Sequence, residues 1–245
     1  MDMLILFLFG AVIGSFLNVV GLRWNSGLSL GGRSSCATCS QTLRWWELVP
    51  IVSFLTLRGR CWRCRSKISR QYPIVELWTG LIFVTVPIIL LPVFCIYVVI
   101  TIYDLRHKII PDNLVYASIV LSLLVPLLFQ RYSTIDWLAG PILFAFFGSI
   151  WLLSRGRAMG FGDAKLGLSI GLLLGAAWGF SAIILAFWIG AAFGIIYMLL
   201  SHVRPLLSGV KKITIKSEIP FAPFMVVGAW LSVVYNLDLL HVSMF

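Results

Sequence analysis

The chain has 245 residues, of which 60% are hydrophobic and only 11% charged, with a mean hydropathy of +0.99 and a formal net charge of +10. A soluble domain of this length has no core large enough to hide so much apolar surface. The composition therefore excludes an ordinary soluble enzyme and implies an all-α polytopic membrane protein.

A membrane helix needs about 17–25 predominantly apolar residues. The first such run, 3–22, is read as a retained helix. It lacks the basic start and small-residue cleavage pattern of a secretory signal, and it runs straight through Gly14-Ser15-Phe16-Leu17-Asn18-Val19-Val20.

Residues 23–72 form one large polar insertion. It carries Cys36-Ala37-Thr38-Cys39 and Cys61-Trp62-Arg63-Cys64, separated by 21 residues. Two such knuckles at this distance can supply Cys36, Cys39, Cys61 and Cys64 to one tetrahedral zinc. The basic neighbours Arg33, Arg60, Arg63 and Arg65 favour the thiolate form. Four cysteines close the coordination shell, so the zinc is expected to be structural. A pair of disulfides is the alternative, disfavoured by the cytosolic placement reached below. A loop of about 50 residues with few large apolar groups needs a staple of this kind. Cys95, in an apolar run, reads as a packing residue.

Beyond the insertion the apolar spans are approximately 73–90, 92–104, 113–130, 137–154, 163–178, 180–200 and 221–240, making about eight crossings with the first. Nine of the 19 Lys and Arg residues lie between Arg23 and Arg70, and others sit at Arg106/Lys108, Arg155/Arg157 and 204–216. Basic loops stay in the cytoplasm. Placing all of these inside leaves both chain ends outside, with Arg131 the one basic side chain there. The charge is thus a topological signal, and nucleic acid is not expected as a partner. The expected organisation is a first transmembrane helix over 1–22, a small cytosolic zinc-ribbon-like insertion over 23–72, and a membrane domain of about seven helices over 73–245.

Two aspartates stand at the edges of spans. Asp104 lies in Tyr103-Asp104-Leu105-Arg106-His107-Lys108-Ile109-Ile110-Pro111-Asp112, and Asp163 in Gly160-Phe161-Gly162-Asp163-Ala164-Lys165. An ionisable group in or near the bilayer is expensive and is a functional-site hypothesis by default. The charge-based topology puts both on the cytoplasmic side. Gly160 and Gly162 would let another backbone approach the carboxylate, and Pro111 breaks the chain after Asp104. The plainer readings are that Asp163 caps a helix, that Asp104 pairs with Arg106 or Lys108, and that Asp112 caps the next apolar run. His107, His202 and His241 show no metal-ligand spacing.

Taken together these motifs resemble the prepilin peptidases, membrane aspartyl proteases of the Gly-x-Gly-Asp type. The resemblance spans nearly the whole chain. It rests on the Gly14–Val20 segment, the two cysteine knuckles, Trp45-Trp46-Glu47-Leu48-Val49-Pro50-Ile51-Val52-Ser53-Phe54, Arg70-Gln71-Tyr72-Pro73-Ile74-Val75-Glu76-Leu77, the Asp104–Asp112 segment, Gly160–Asp163 and Pro220-Phe221-Ala222-Pro223-Phe224. The last motif usually has glycine where Ala222 stands.

The resemblance implies that Asp104 and Asp163 are the catalytic pair of a bacterial inner-membrane endopeptidase whose active site faces the cytoplasm. It implies prepilin or pseudopilin substrates, cleaved after a glycine between a basic leader and an apolar helix, with membrane lipid around the enzyme. It also implies N-methylation of the new amino terminus with S-adenosylmethionine, although no Gly-rich nucleoside-binding turn is present. Glu76 is a candidate supporting residue, with a helix-dipole role as its competitor. Lys165 either tunes the pair, meets a substrate charge, or reaches to the interface. Readings from other classes are an ion-coupled transporter, which would call for internal inverted symmetry, and a non-catalytic assembly factor docking a partner through its zinc ribbon. A related membrane aspartyl protease with another substrate shares the same pair.

Overall fold

The computed structural model describes residues 2–27, 29, 31–129, 133–203 and 220–240. Arg131, the basic segment 204–216 and His241 lie outside these residues. Within them the chain is helical with no named strand. The elements are α1 (Met3–Arg23), a 3-10 turn (Trp45–Leu48), α2 (Val52–Thr56), α3 (Gln71–Thr85), α4 (Leu91–His107), α5 (Asp112–Phe129), α6 (Thr134–Ser154), α7 (Phe161–Val203) and α8 (Ala222–Val234).

Among the described residues, three helices are long and apolar enough to cross a membrane: Met3–Arg23, Thr134–Ser154 and Phe161–Leu199. Asp112–Leu127 and Ala222–Val234 are shorter apolar helices. Such a chain is a membrane protein. Its helices also expose large apolar side chains such as Leu4, Leu8, Ile74, Leu153 and Leu199, as lipid-facing surfaces do.

The chain divides into two compact units, residues 1–102 and 103–245. In the first, α1 and α3 run antiparallel at very close range. A Cβ at Gly10 would come within 2.6 Å of Phe83 Cβ, and one at Gly14 within 2.8 Å of Thr79 Cβ. Small residues four apart let membrane helices approach closely and pack by van der Waals contact. The pair is tied further along by Gln71 Nε2, which donates to Asn18 Oδ1 at 2.9 Å.

In the second unit α7 is the hub. Its first part packs against α6, where a Cβ at Gly171 would meet Gly140 backbone at 2.7 Å. It also packs against α5 through hydroxyls: Ser169 Oγ lies 3.0 Å from Ser118 Oγ and 3.0 Å from Ser122 Oγ. At Gly175 (φ 71, ψ −170) the helix breaks, and Gly179 comes back against Gly171. Residues eight apart in a straight helix would be about 12 Å apart, so the chain doubles back. The expected division between spans 163–178 and 180–200 thus falls a few residues earlier. Gly175 is there because only glycine takes this backbone freely. Asp136 braces the turn: its Oδ1 accepts Ala176 N–H at 2.9 Å. The second part of α7 packs on α8 so tightly that a Cβ at Gly228 would collide with the Ala182 carbonyl oxygen.

Candidate functional site

Asp104 lies in the last turn of α4, and the chain leaves that helix through Lys108 at φ 55. Asp163 is the third residue of α7 rather than its cap. Both are nearly inaccessible, 4% and 8% exposed, and their carboxylates are close enough for their charges to interact. Neither forms an ion pair among the described residues, so the expected alternative pairing of Asp104 with Arg106 or Lys108 is not what the structure has.

Backbone amides serve the two acids. The Asp104 carboxyl accepts the N–H of Ala222, the first residue of α8. The Asp163 carboxyl lies close to the N–H of Gly160. Asp104 Oδ2 is buried with no hydrogen-bond partner among the described residues. Unpaired buried carboxylate oxygens are rare and call for a reason in chemistry or strain.

Aromatic packing fixes both amides. Phe161 sits against Phe144 and Trp151 at centroid distances of 5.8 and 5.0 Å, holding the start of α7 on α6. Phe221, just before Ala222, packs on Phe187 at 5.1 Å and Phe147 at 6.2 Å. Gly162 is required by space: a Cβ there would lie 2.8 Å from Ile110 Cβ. Gly160 is different, since its Cβ would meet nothing nearer than Asp163 Oδ2 at 3.5 Å. The part played by Ala222 is the residue-level finding that sequence reasoning missed. The Pro220–Phe224 motif was the available signal, but not the amide direction.

Lys165 does not reach the acid pair. Its Nζ makes a 2.7 Å ion pair with Asp112 Oδ1 and lies over the rings of Tyr116 and Phe161, 4.9 and 5.3 Å from their centroids. The pair ties the first turn of α5 to the first turn of α7. Glu76 lies in the second turn of α3, not at its start as the dipole reading requires. It is buried, and its Oε2 accepts the Ile51 N–H at 2.7 Å.

The four cysteines converge. Their sulfurs lie within 4.8 Å of one another, with Cys36 Sγ and Cys64 Sγ 3.8 Å apart, and all five thiols of the chain are free. A tetrahedron with metal–sulfur distances of about 2.3 Å has edges of about 3.8 Å, so the donor set fits one metal ion. The two knuckles are built alike. Cys36 N–H donates to Gln41 O and Ser40 N–H to Cys36 O; Cys61 N–H donates to Ser66 O and Arg65 N–H to Cys61 O, all at 2.9–3.0 Å. Ser40 and Arg65 both take positive φ, 53 and 57, and bridges Ser35–Thr42 and Arg60–Lys67 close the two loops. Backbone amides of Cys39 and Thr38 hold the Cys36 thiol down at about 6. Cys39 accepts the Gln41 amide, yet desolvation and its thiol neighbours push it up to about 11.

Residues 8–90 match the bacterial peptidase A24 N-terminal domain, and residues 89–195 match the type IV leader peptidase family. A prepilin leader peptidase/N-methyltransferase of Bacillus subtilis is 31% identical, with 95% of this chain and 94% of the relative aligned. The chain belongs to the type IV leader peptidase family. Proteins of the same name from Aeromonas hydrophila (29% identical; 95% of this chain, 90% of the relative) and Pseudomonas aeruginosa (28%; 94% and 89%) are also similar. No solved structure matches the chain. As a member of this leader peptidase family the chain is a protease, which sets aside the transporter and assembly-factor readings.

Proposed function

We propose that this chain is a prepilin leader peptidase of the bacterial inner membrane, with Asp104 and Asp163 as its catalytic pair. It removes the basic leader of a type IV prepilin or pseudopilin by cutting after a glycine. The observation that carries the residue assignment is the pair itself: two buried carboxylates from separate helix ends, in electrostatic reach of one another, within a membrane protein of a peptidase family.

Like charges this close do not both ionise readily, so the pair holds one proton. The ionised member takes a proton from water as the water oxygen attacks the scissile carbonyl. The protonated member donates to the carbonyl oxygen, giving a neutral gem-diol. Collapse breaks the C–N bond, with the proton delivered to the leaving amine. The amide of Ala222 fixes the Asp104 carboxyl, that of Gly160 lies close to the Asp163 carboxyl, and the Lys165–Asp112 pair holds the two helix starts that bracket them. Gly160, whose side is open, leaves room for an extended substrate backbone.

The chain's organisation in this reading is about eight crossings, with residues 23–72 and the acid pair on the cytoplasmic side, where a basic leader stays. The metal of the four cysteines is zinc in a structural role, held by Cys36, Cys39, Cys61 and Cys64. The relatives' names extend the proposal to N-methylation of the new amino terminus, with S-adenosylmethionine as donor.

The test is cleavage of a membrane-embedded prepilin by wild type, Asp104→Asn and Asp163→Asn at equal expression and equal zinc content. Loss of cleavage in both variants is expected. Wild-type rates in either one remove that residue from the chemistry.

A further inference from the structure

The cysteine segment carries an apolar surface that peptide hydrolysis does not use. The 3-10 turn presents Trp45, 80% exposed, and Leu48, also exposed. Side chains three apart eclipse in such a turn. Helix α2 presents Val52 and Leu55, the latter 67% exposed, again three apart on one face. Val49 between the two turns is exposed as well. Clustered apolar exposure of this kind marks an interaction site.

Two further observations say what covers it. The first is depth. Glu76 is five residues into α3, about 7.5 Å along its axis, and past Pro73, where the apolar stretch begins. Its carboxylate accepts the Ile51 N–H at 2.7 Å and lies close to the Ser15 side chain, eight residues before the end of α1. Ile51 holds φ 61, a conformation that a β-branched residue seldom adopts. The 49–52 corner is thus drawn below the ends of both helices, to the level where α1 and α3 are already apolar. The second is charge. Arg44, Arg58, Arg60, Arg65 and Lys67 are exposed around the same segment, and Leu57, Arg58, Arg60 and Arg65 line one depression directly after α2.

We propose that residues 45–56 lie in the membrane interface. Trp45, Leu48, Val49, Val52 and Leu55 enter the boundary between headgroups and acyl chains, and the neighbouring arginines contact anionic phospholipid headgroups. Tryptophan is favoured at this depth, short amphipathic segments bind there through buried apolar area and basic flanks, and each basic residue near an anionic surface adds to the attraction. Glu76 is then a positioning residue: it sets the depth of the corner and so presses the four-cysteine unit against the bilayer.

The test uses the full chain, labelled with fluorotryptophan, in nanodiscs of phosphatidylglycerol or phosphatidylcholine. Trp45→Phe assigns the Trp45 fluorine resonance. Lipids spin-labelled at the top of the acyl chain are expected to erase that resonance, while a water-soluble gadolinium chelate leaves it. Leu55→Asp, at an exposed position that the fold does not need, is expected to reverse the pattern. Erasure by the chelate but not by the lipid label overturns the proposal. Protection from both probes does so too, since it means that a second copy or another protein covers the patch. A lipid effect of equal size in both nanodiscs overturns the assignment of the arginines to anionic headgroups.

Discussion

The backbone N–H of Ala222 donates to the carboxyl of Asp104, so the first turn of α8 and the last turn of α4 meet at one acid. The Ala222 side chain is fully buried, and Phe221 anchors the turn in an aromatic cluster. A larger side chain at 222 must move the amide. Ala222→Leu is expected to lower kcat by about 10-fold or more, the size of effect that a 1 Å misplacement can exceed, with KM little changed. Ala222→Gly keeps the amide in place and should cleave at close to the wild-type rate. Steady-state cleavage of a prepilin by the three proteins checks this.

The two glycines of the Gly160–Asp163 turn should respond differently. Gly162→Ala drives a methyl group into Ile110 Cβ at 2.8 Å, an overpacking that costs about 1–3 kcal/mol. Alanine at 110 would keep that Cβ, so Ile110→Gly, which removes it, should recover part of the loss in thermal midpoint. Gly160→Ala meets ordinary contact distances and should leave the midpoint unchanged while raising KM, if the substrate backbone passes there.

Lys165 and Asp112 are 13% and 61% exposed, so screening keeps their pair weak. Asp112→Asn is expected to cost no more than about 1 kcal/mol of stability. Lys165→Met also removes the cation over Tyr116 and Phe161, worth about 0.5–1 kcal/mol more at such a site. A double-mutant cycle on thermal unfolding separates the two contributions.

Metal retention should depend on pH in one direction. The Cys36 thiol is lowered to about 6 and that of Cys64 is also lowered, with the Ser66 side chain the main cause for Cys64. A lowered folded-state value keeps the thiolate at pH values below the ordinary cysteine range; the stability this lends is full above that range and is lost as pH falls through about 6. Zinc bound to purified protein is expected to persist at pH 7–8 and to be released to a competing chelator as the pH drops below about 6. Cys36→Ser and Cys61→Ser should each bind far less zinc at every pH, as metal analysis would show.

Local sequence carried the membrane class, the family and the cysteine set, because each depends on composition or on spacing that the chain itself enforces. Runs such as 3–22 and 137–154 read as helices since apolar length alone demands it, and two Cys-x-x-Cys knuckles restrict where four thiols can go. The acid pair stood out for the same reason, as charge where charge is costly. Only the tertiary structure decided what these groups touch. Lys165 faces Asp112 because α5 and α7 start side by side. Glu76 meets Ile51 because the insertion folds back onto α3. The amide of Ala222 reaches Asp104 because residues 118 positions apart in the chain share one corner of the fold. Such contacts are set by the packing of helix on helix, through glycines whose absent side chains give no periodic signal, and no local pattern encodes which surfaces will meet.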